Sequence, residues 1–340
     1  MHLMSSAPVR IDFTGGYTDV NPFARDRTGF AVNAAISLRT CVVGRLRRDG
    51  KQVLRSDDLQ IGVELPSMEA IRFDGELDIL KALLLEYPIR SGVDLATKST
   101  APIASGVGSS AALGVAGAHV MRALAGIQLD RASLAEVAAR AERRTGSAGG
   151  CQDQYASAFG GFSFITAAER GNHCQSIAIS SEVVRQLESM LLLAHPGGAR
   201  PSSDLVTEIM QAYATGDRRV TTCLMALNGL AWDIRGALLD GNLCALELLI
   251  QEVWVHQRAL HPGIASDQVQ GLLERLKQIG IPTAKALGGA GSGACLLVLC
   301  KPELRTRACA LMEQAGCRII PFGFDARGSE IRQFPGDDER

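Results

Sequence analysis

Residues 102–112 read Pro-Ile-Ala-Ser-Gly-Val-Gly-Ser-Ser-Ala-Ala and run into an Ala- and Leu-rich stretch, 111–125, that ends at Gly126. The pattern predicts a glycine-rich loop feeding directly into a helix. The first N–H groups of a helix have no partner within it, and the helix dipole adds partial positive charge there. Glycine lets an anion reach the backbone, and Ser109 and Ser110 add hydroxyls, so this loop can cradle phosphate. It lacks the lysine of a Walker loop. The run from Gly106 to Ala111 also fits the dinucleotide-binding pattern, with Asp130 near the ribose position. However, residues 127–129 are too short for the strand that such a unit needs, and Asp130 is better placed as a helix cap.

Two further glycine loops flank this one. Residues 9–13 form a strand-like run that ends at Gly15-Gly16, and residues 287–293 read Leu-Gly-Gly-Ala-Gly-Ser-Gly before a strand-like segment at 294–300. A second helix is expected over 130–145, followed by the glycine-rich turn 146–150. Glu142 lies near the end of that helix, and Asp153 follows eleven positions later, beyond the turn. One carboxylate for a divalent cation and one to orient or deprotonate a hydroxyl is the division of labour of phosphoryl transfer.

The rest of the chain narrows the class. Thirty-five basic residues face 36 acidic ones, so no net field draws the chain to nucleic acid or a membrane surface. Aromatic residues make up only 5%, too few for a base-stacking surface. Nine cysteines with no Cys-x-x-Cys spacing read as reduced thiols, which points to the cytoplasm. Residues 1–6 lack the features of a secretory leader, and no apolar run approaches the ~18 residues of a membrane span. His256 and His261 have no carboxylate placed to complete a metal site, and Trp232 and Trp254 fall in apolar helical stretches expected in the core. Residues 202–260 read as three helices, 317–321 as a closing strand, and 337–340 as a frayed end.

In this order the loops resemble the three motifs of the GHMP kinases. Ala7-Pro8-Val9-Arg10-Ile11 with Gly15-Gly16-Tyr17-Thr18-Asp19 is similar to the first, in its sugar-kinase form. Pro102-x-x-x-Gly106-Val107-Gly108-Ser109-Ser110-Ala111-Ala112 resembles the second and residues 287–293 the third, with Ala294 where many members keep a glycine. Within the family, Gly149-Gly150-Cys151-Gln152-Asp153-Gln154-Tyr155 and Phe159-Gly160-Gly161 look most like the bacterial heptose 7-phosphate kinases. Galactokinases usually carry Gly-Glu-His-Thr-Asp where this chain has Gly16-Tyr17-Thr18-Asp19, which speaks against galactose.

The resemblance implies an α+β fold of two domains. The first, S5-domain-2-like and ATP-binding, would span 1–180, and the second, ferredoxin-like, 181–340. It implies ATP and Mg²⁺, with Gly106, Val107, Gly108, Ser109, Ser110 and Ala111 around the phosphates and Ser110 and Glu142 holding the metal. Asp153 would be the catalytic base with Arg10 beside it, and Gly15, Gly16 and Asp19 would meet the sugar. Gly289, Gly291 and Gly293 would support the active-site loops by close backbone approach. A phosphate on the sugar would need a cation from among Arg25, Arg27, Arg39, Lys98, Arg200 and Lys285. Arg200 and Lys285 match family positions. The implied reaction phosphorylates the anomeric hydroxyl of a heptose 7-phosphate. The alternatives are a kinase of an unphosphorylated fucose or hexose, or a regulator that binds sugar and ATP without catalysis. The partner is a small sugar or sugar phosphate, and the chain acts as a monomer or homodimer.

Overall fold

The computed structural model describes residues 2–198, 203–289 and 293–335. In chain order the first half contains β1 (His2–Asp12), α1 (Phe23–Arg27), β2 (Gly29–Arg47), β3 (Gln52–Ser56), β4 (Ile61–Leu65), α2 (Asp78–Glu86) and β5 (Gly92–Ser99). Then come α3 (Ser109–Leu124), α4 (Arg131–Arg144), α5 (Gln152–Phe159), β6 (Phe162–Ala168), β7 (Gly171–Ser176), α6 (Ser181–Met190) and β8 (Leu191–His195). The remainder holds α7 (Ser203–Ala214), α8 (Arg218–Leu239), α9 (Leu243–Leu260), α10 (Asp267–Gln278), β9 (Thr283–Ala286), β10 (Leu296–Leu299), α11 (Arg305–Gln314), β11 (Arg318–Ile320) and β12 (Glu330–Phe334).

The strands form two sheets. The larger runs β12-β1-β2-β5-β3-β4, with β6 on the free half of β2 and β7 beyond it. The 19-residue β2 is its spine, pairing with β6, β1 and β5 in turn along its length. The smaller sheet runs β11-β8-β10-β9, every pair antiparallel. Numbered within itself, that order is 4-1-3-2 with helices between its first and second and its third and fourth strands, the ferredoxin-like βαββαβ arrangement.

One apolar core runs through both sheets. Helices α3 and α5 lie on β1, and α3 packs on α4 through small residues: Gly114 meets Ala138, where any larger side chain would push the helices apart. A capped helix appears where the sequence predicts one, with Asp130 accepting the Ser133 N–H at the start of α4. Two expectations need correction. Residues 318–320 form a strand, but the chain then returns to the larger sheet and closes as β12 against β1. Its register pairs Ser6 with Glu330, a partnership across the whole chain that local pattern cannot reveal. Trp232 is 49% exposed. It packs one face against Phe30 and Phe164 at the flank of the sheet, and Arg235 covers part of it. Trp254 is buried as expected.

Candidate active site

The three glycine loops converge at one cleft between the larger sheet and the third loop. Arg10, on β1, is buried, and its guanidinium grips Asp153 through two bonds, Nε to Oδ1 at 2.7 Å and Nη2 to Oδ2 at 2.6 Å. A bidentate fork fixes a carboxylate in position and orientation as well as in charge. The third donor of Arg10 bonds the Gly106 carbonyl at 2.5 Å, and its backbone N–H bonds the Val107 carbonyl at 2.9 Å. One side chain thus ties the first motif to the second and to the carboxylate. The Asp153 side chain keeps 25% of its surface exposed, toward the cleft.

Gly108 occupies the cap position of α3 and offers no side chain to the helix's first N–H groups. The donors of that first turn therefore stay open at the cleft. The Ser109 hydroxyl is buried without a partner. Ser110 is exposed and donates to Glu142 Oε1 at 2.7 Å, while Gln154 Nε2 bonds Glu142 Oε2. Burial pushes the Glu142 carboxyl above its usual range, the nearby Asp153 pushes the same way, and the Ser110 and Gln154 bonds only partly offset them. Val107 and Ala111 are buried in the wall behind the loop.

Asp19 is buried, and its placement differs from that of a residue with both oxygens open to a ligand. Its Oδ2 accepts the backbone N–H groups of Cys151 at 2.8 Å and Gln152 at 2.9 Å. These are the opening donors of α5, so Asp19 closes the start of the helix that carries Asp153. Glycine is required opposite it: a Cβ at Gly150 would sit 1.9 Å from Asp19 Oδ2. Burial raises the Asp19 pKa to about 6, with Asp153 adding to the rise and the two N–H bonds opposing it. Gly16 and Asp19 line the cleft, whereas Gly15 packs against Leu227 and Val253.

The third loop supports the second, though through a different residue from those expected. Gly106 and Gly288 approach so closely that a Cβ on either would fall 2.5–2.7 Å from the other loop's carbonyl oxygen, at Leu287 or Gly106. The Cys295 N–H bonds the Ser105 carbonyl at 2.7 Å alongside. Gly289 lines the cleft, Gly293 lies in the turn that leads to Cys295, and Gly291 falls outside the described residues. Sequence reasoning also passed over the parts played by Gln154 and Asp12. Gln154 flanks Asp153 directly, which was the available signal; Asp12 has none that is local, its partner Lys285 lying 273 positions away.

The cations expected to meet a sugar phosphate are not gathered here. Lys285 is completely buried and bonded to Asp12, so it cannot reach the cleft; its place is a core ion pair. Arg39 is paired with Asp325 and Glu330, and Arg25 is exposed beside Asp26. Arg27 and Lys98 are also exposed and lie away from the cleft lining. Arg25 and Arg143 border a neighbouring hollow that shares Asp19, Gly149 and Gly150 with the cleft. Arg200 lies outside the described residues. Among the described residues, no helix is long and apolar enough to cross a membrane.

The family model described as "GHMP kinases N terminal domain" matches residues 77–161. A D-glycero-alpha-D-manno-heptose 7-phosphate kinase of Campylobacter jejuni is 26% identical over 341 residues, covering 96% of this chain and 97% of that protein. The solved structure of a D-glycero-D-manno-heptose 1-phosphate kinase from Bacteroides thetaiotaomicron matches with a TM-score of 0.81 at 21% identity, over 98% of this chain and all of that one. A galactokinase of Lactococcus lactis, solved with galactose, matches with a TM-score of 0.79 at 21% identity, over 97% and 95% of the two chains.

Proposed function

We propose that this chain, whose residues 77–161 match the GHMP kinase N-terminal domain, is a kinase of that family and transfers the γ-phosphoryl of ATP to the anomeric hydroxyl of a heptose 7-phosphate, giving the 1,7-bisphosphate. The observation that carries the reading is the Arg10–Asp153 fork beside the uncapped start of α3. It sets a proton acceptor next to a phosphate cradle in one cleft. A relative named as a heptose 7-phosphate kinase supports the acceptor class.

Asp153 takes the proton of the attacking hydroxyl as the new O–P bond forms. Arg10 keeps that carboxylate aimed, since two charge-assisted bonds hold it against rotation. The open N–H groups of α3 and the hydroxyl of Ser109 receive phosphate oxygens, whose charge the helix dipole favours. Ser110 and Glu142 offer the hard oxygen ligands that Mg²⁺ takes, and an upward-shifted carboxyl is one that a cation would return to its ionised form. When bound there, Mg²⁺ supplies neutralisation of the charge on the transferred group. Asp19 acts from behind, holding α5 so that Asp153 faces the cleft.

The test is ADP release with MgATP over a panel of sugars with and without a terminal phosphate, alongside Asp153→Asn. Turnover on heptose 7-phosphate that falls about 10³-fold in the variant supports the reading. Turnover confined to a free sugar would move the acceptor to the unphosphorylated class, and none on any sugar would remove the kinase assignment.

A further inference from the structure

Lys285 sits on β9, two residues before Leu287 and the third glycine loop, and its side chain is completely buried. Its ammonium donates to the Asp12 carbonyl at 2.8 Å and to Asp12 Oδ2 at 3.1 Å. Asp12 Oδ1 meanwhile accepts both the N–H and the hydroxyl of Thr14, each at 2.9 Å. All three oxygen atoms of Asp12 are thus engaged where β1 ends and the turn through Gly15, Gly16 and Asp19 begins. On its far side the third loop is held to the second by the Gly106–Gly288 approach and the Cys295–Ser105 bond. The two ties differ in kind. One is backbone against backbone, and the other is a single buried ion pair between residues 273 positions apart.

A buried pair is weak evidence for stability, because the cost of desolvating both charges offsets their attraction. What it does impose is geometry, since neither charge tolerates losing the other in a dry interior. Resting on the kinase reading for its catalytic consequence, we infer that Lys285 is a positioning residue: through Asp12 it sets the acceptor-side turn, residues 13–19, against the third glycine loop. Residue Arg10 lies on the same strand face two positions before Asp12, so the tie also borders the strand that aims Asp153.

The experiment compares wild type with Lys285→Met and with the double variant Asp12→Asn/Lys285→Met, which leaves no unpaired charge in the core. Amide hydrogen exchange is followed by residue, and ADP release is measured against acceptor and against ATP, normalised to folded protein. In the double variant, exchange over residues 13–19 and 287–289 is expected to quicken at least about tenfold while β2 and α3 keep their protection. The acceptor KM rises about tenfold, and the ATP KM stays within about twofold. Loss of folded protein alone would leave both KM values where they were. Unchanged exchange at 13–19, or exchange that quickens equally throughout, overturns the assignment, as does a double variant that fails to fold. Wild type that turns over no sugar sinks the kinase reading instead, and the exchange data still decide the positioning role.

Discussion

Two helices begin at this cleft, and their first turns are treated in opposite ways. Helix α3 starts at Gly108 with no side chain across its end, an exposed Ser110, and a Ser109 hydroxyl that is buried without a partner. Helix α5 starts with its opening N–H groups taken by Asp19, a residue more than 130 positions earlier in the chain. An end that must receive an anion leaves its donors free. An end that must hold a base still has them satisfied from within the fold. On the proposed reading, the contrast leaves α3 open to receive phosphate and gives α5 a fixed start, with Asp19 holding that start.

The comparison breaks most readily at Asp19. Replacing it with Ala removes the acceptor for two buried N–H groups, and kcat should fall about 100-fold through displacement of Asp153. Asp19→Asn keeps an acceptor oxygen and should retain most of the activity; equal losses in the two variants would return Asp19 to direct sugar contact. Stability against pH sharpens the same point. The folded pKa of Asp19, about 6, lies above its ordinary value of 3.8. The folded state therefore holds the proton more tightly than the unfolded chain does. This group costs stability above pH 6 and returns it as the pH falls toward 4, on the order of 2–3 kcal/mol in all. Chemical denaturation across that range should show wild type gaining relative to Asp19→Asn, and parallel curves would refute the shift.

Smaller effects are expected on the open side. Glu142→Gln removes the charge that would hold a cation and should raise the Mg²⁺ concentration for half-maximal rate about tenfold, with acceptor KM little changed. Ser109→Ala deletes a hydroxyl that bonds nothing in the fold, so stability should move by less than about 0.5 kcal/mol. Any effect should appear in the ATP KM. A large loss of stability in this variant would mean that α3 is less open than its geometry implies.

The parts of the site that could be read from sequence are those built by neighbours in the chain. Gly106, Gly108, Ser109 and Ser110 declare a loop feeding a helix because glycine freedom and helix-end donors are local properties. Glu142 and Asp153 stand out because a glycine turn separates them over a short span. The ferredoxin-like order of the second sheet followed from the family resemblance, since four short apolar strands carry no pairing information of their own.

Charged residues whose partners lie far away in sequence could not be placed in this way. Lys285 has the look of a ligand-binding cation until Asp12 is found against it, and nothing local to Asp19 shows that it also holds the start of α5. The covalent pattern determines what a residue can donate, accept or titrate. Which group consumes that capacity depends on contacts across hundreds of residues, and only the packed chain brings those groups within bonding distance. Thus the sequence alone supplied a glycine loop at a helix start and the pair of carboxylates, while the tertiary structure decided that Arg10 grips Asp153, that Asp19 holds the helix beneath it, and that Lys285 faces inward.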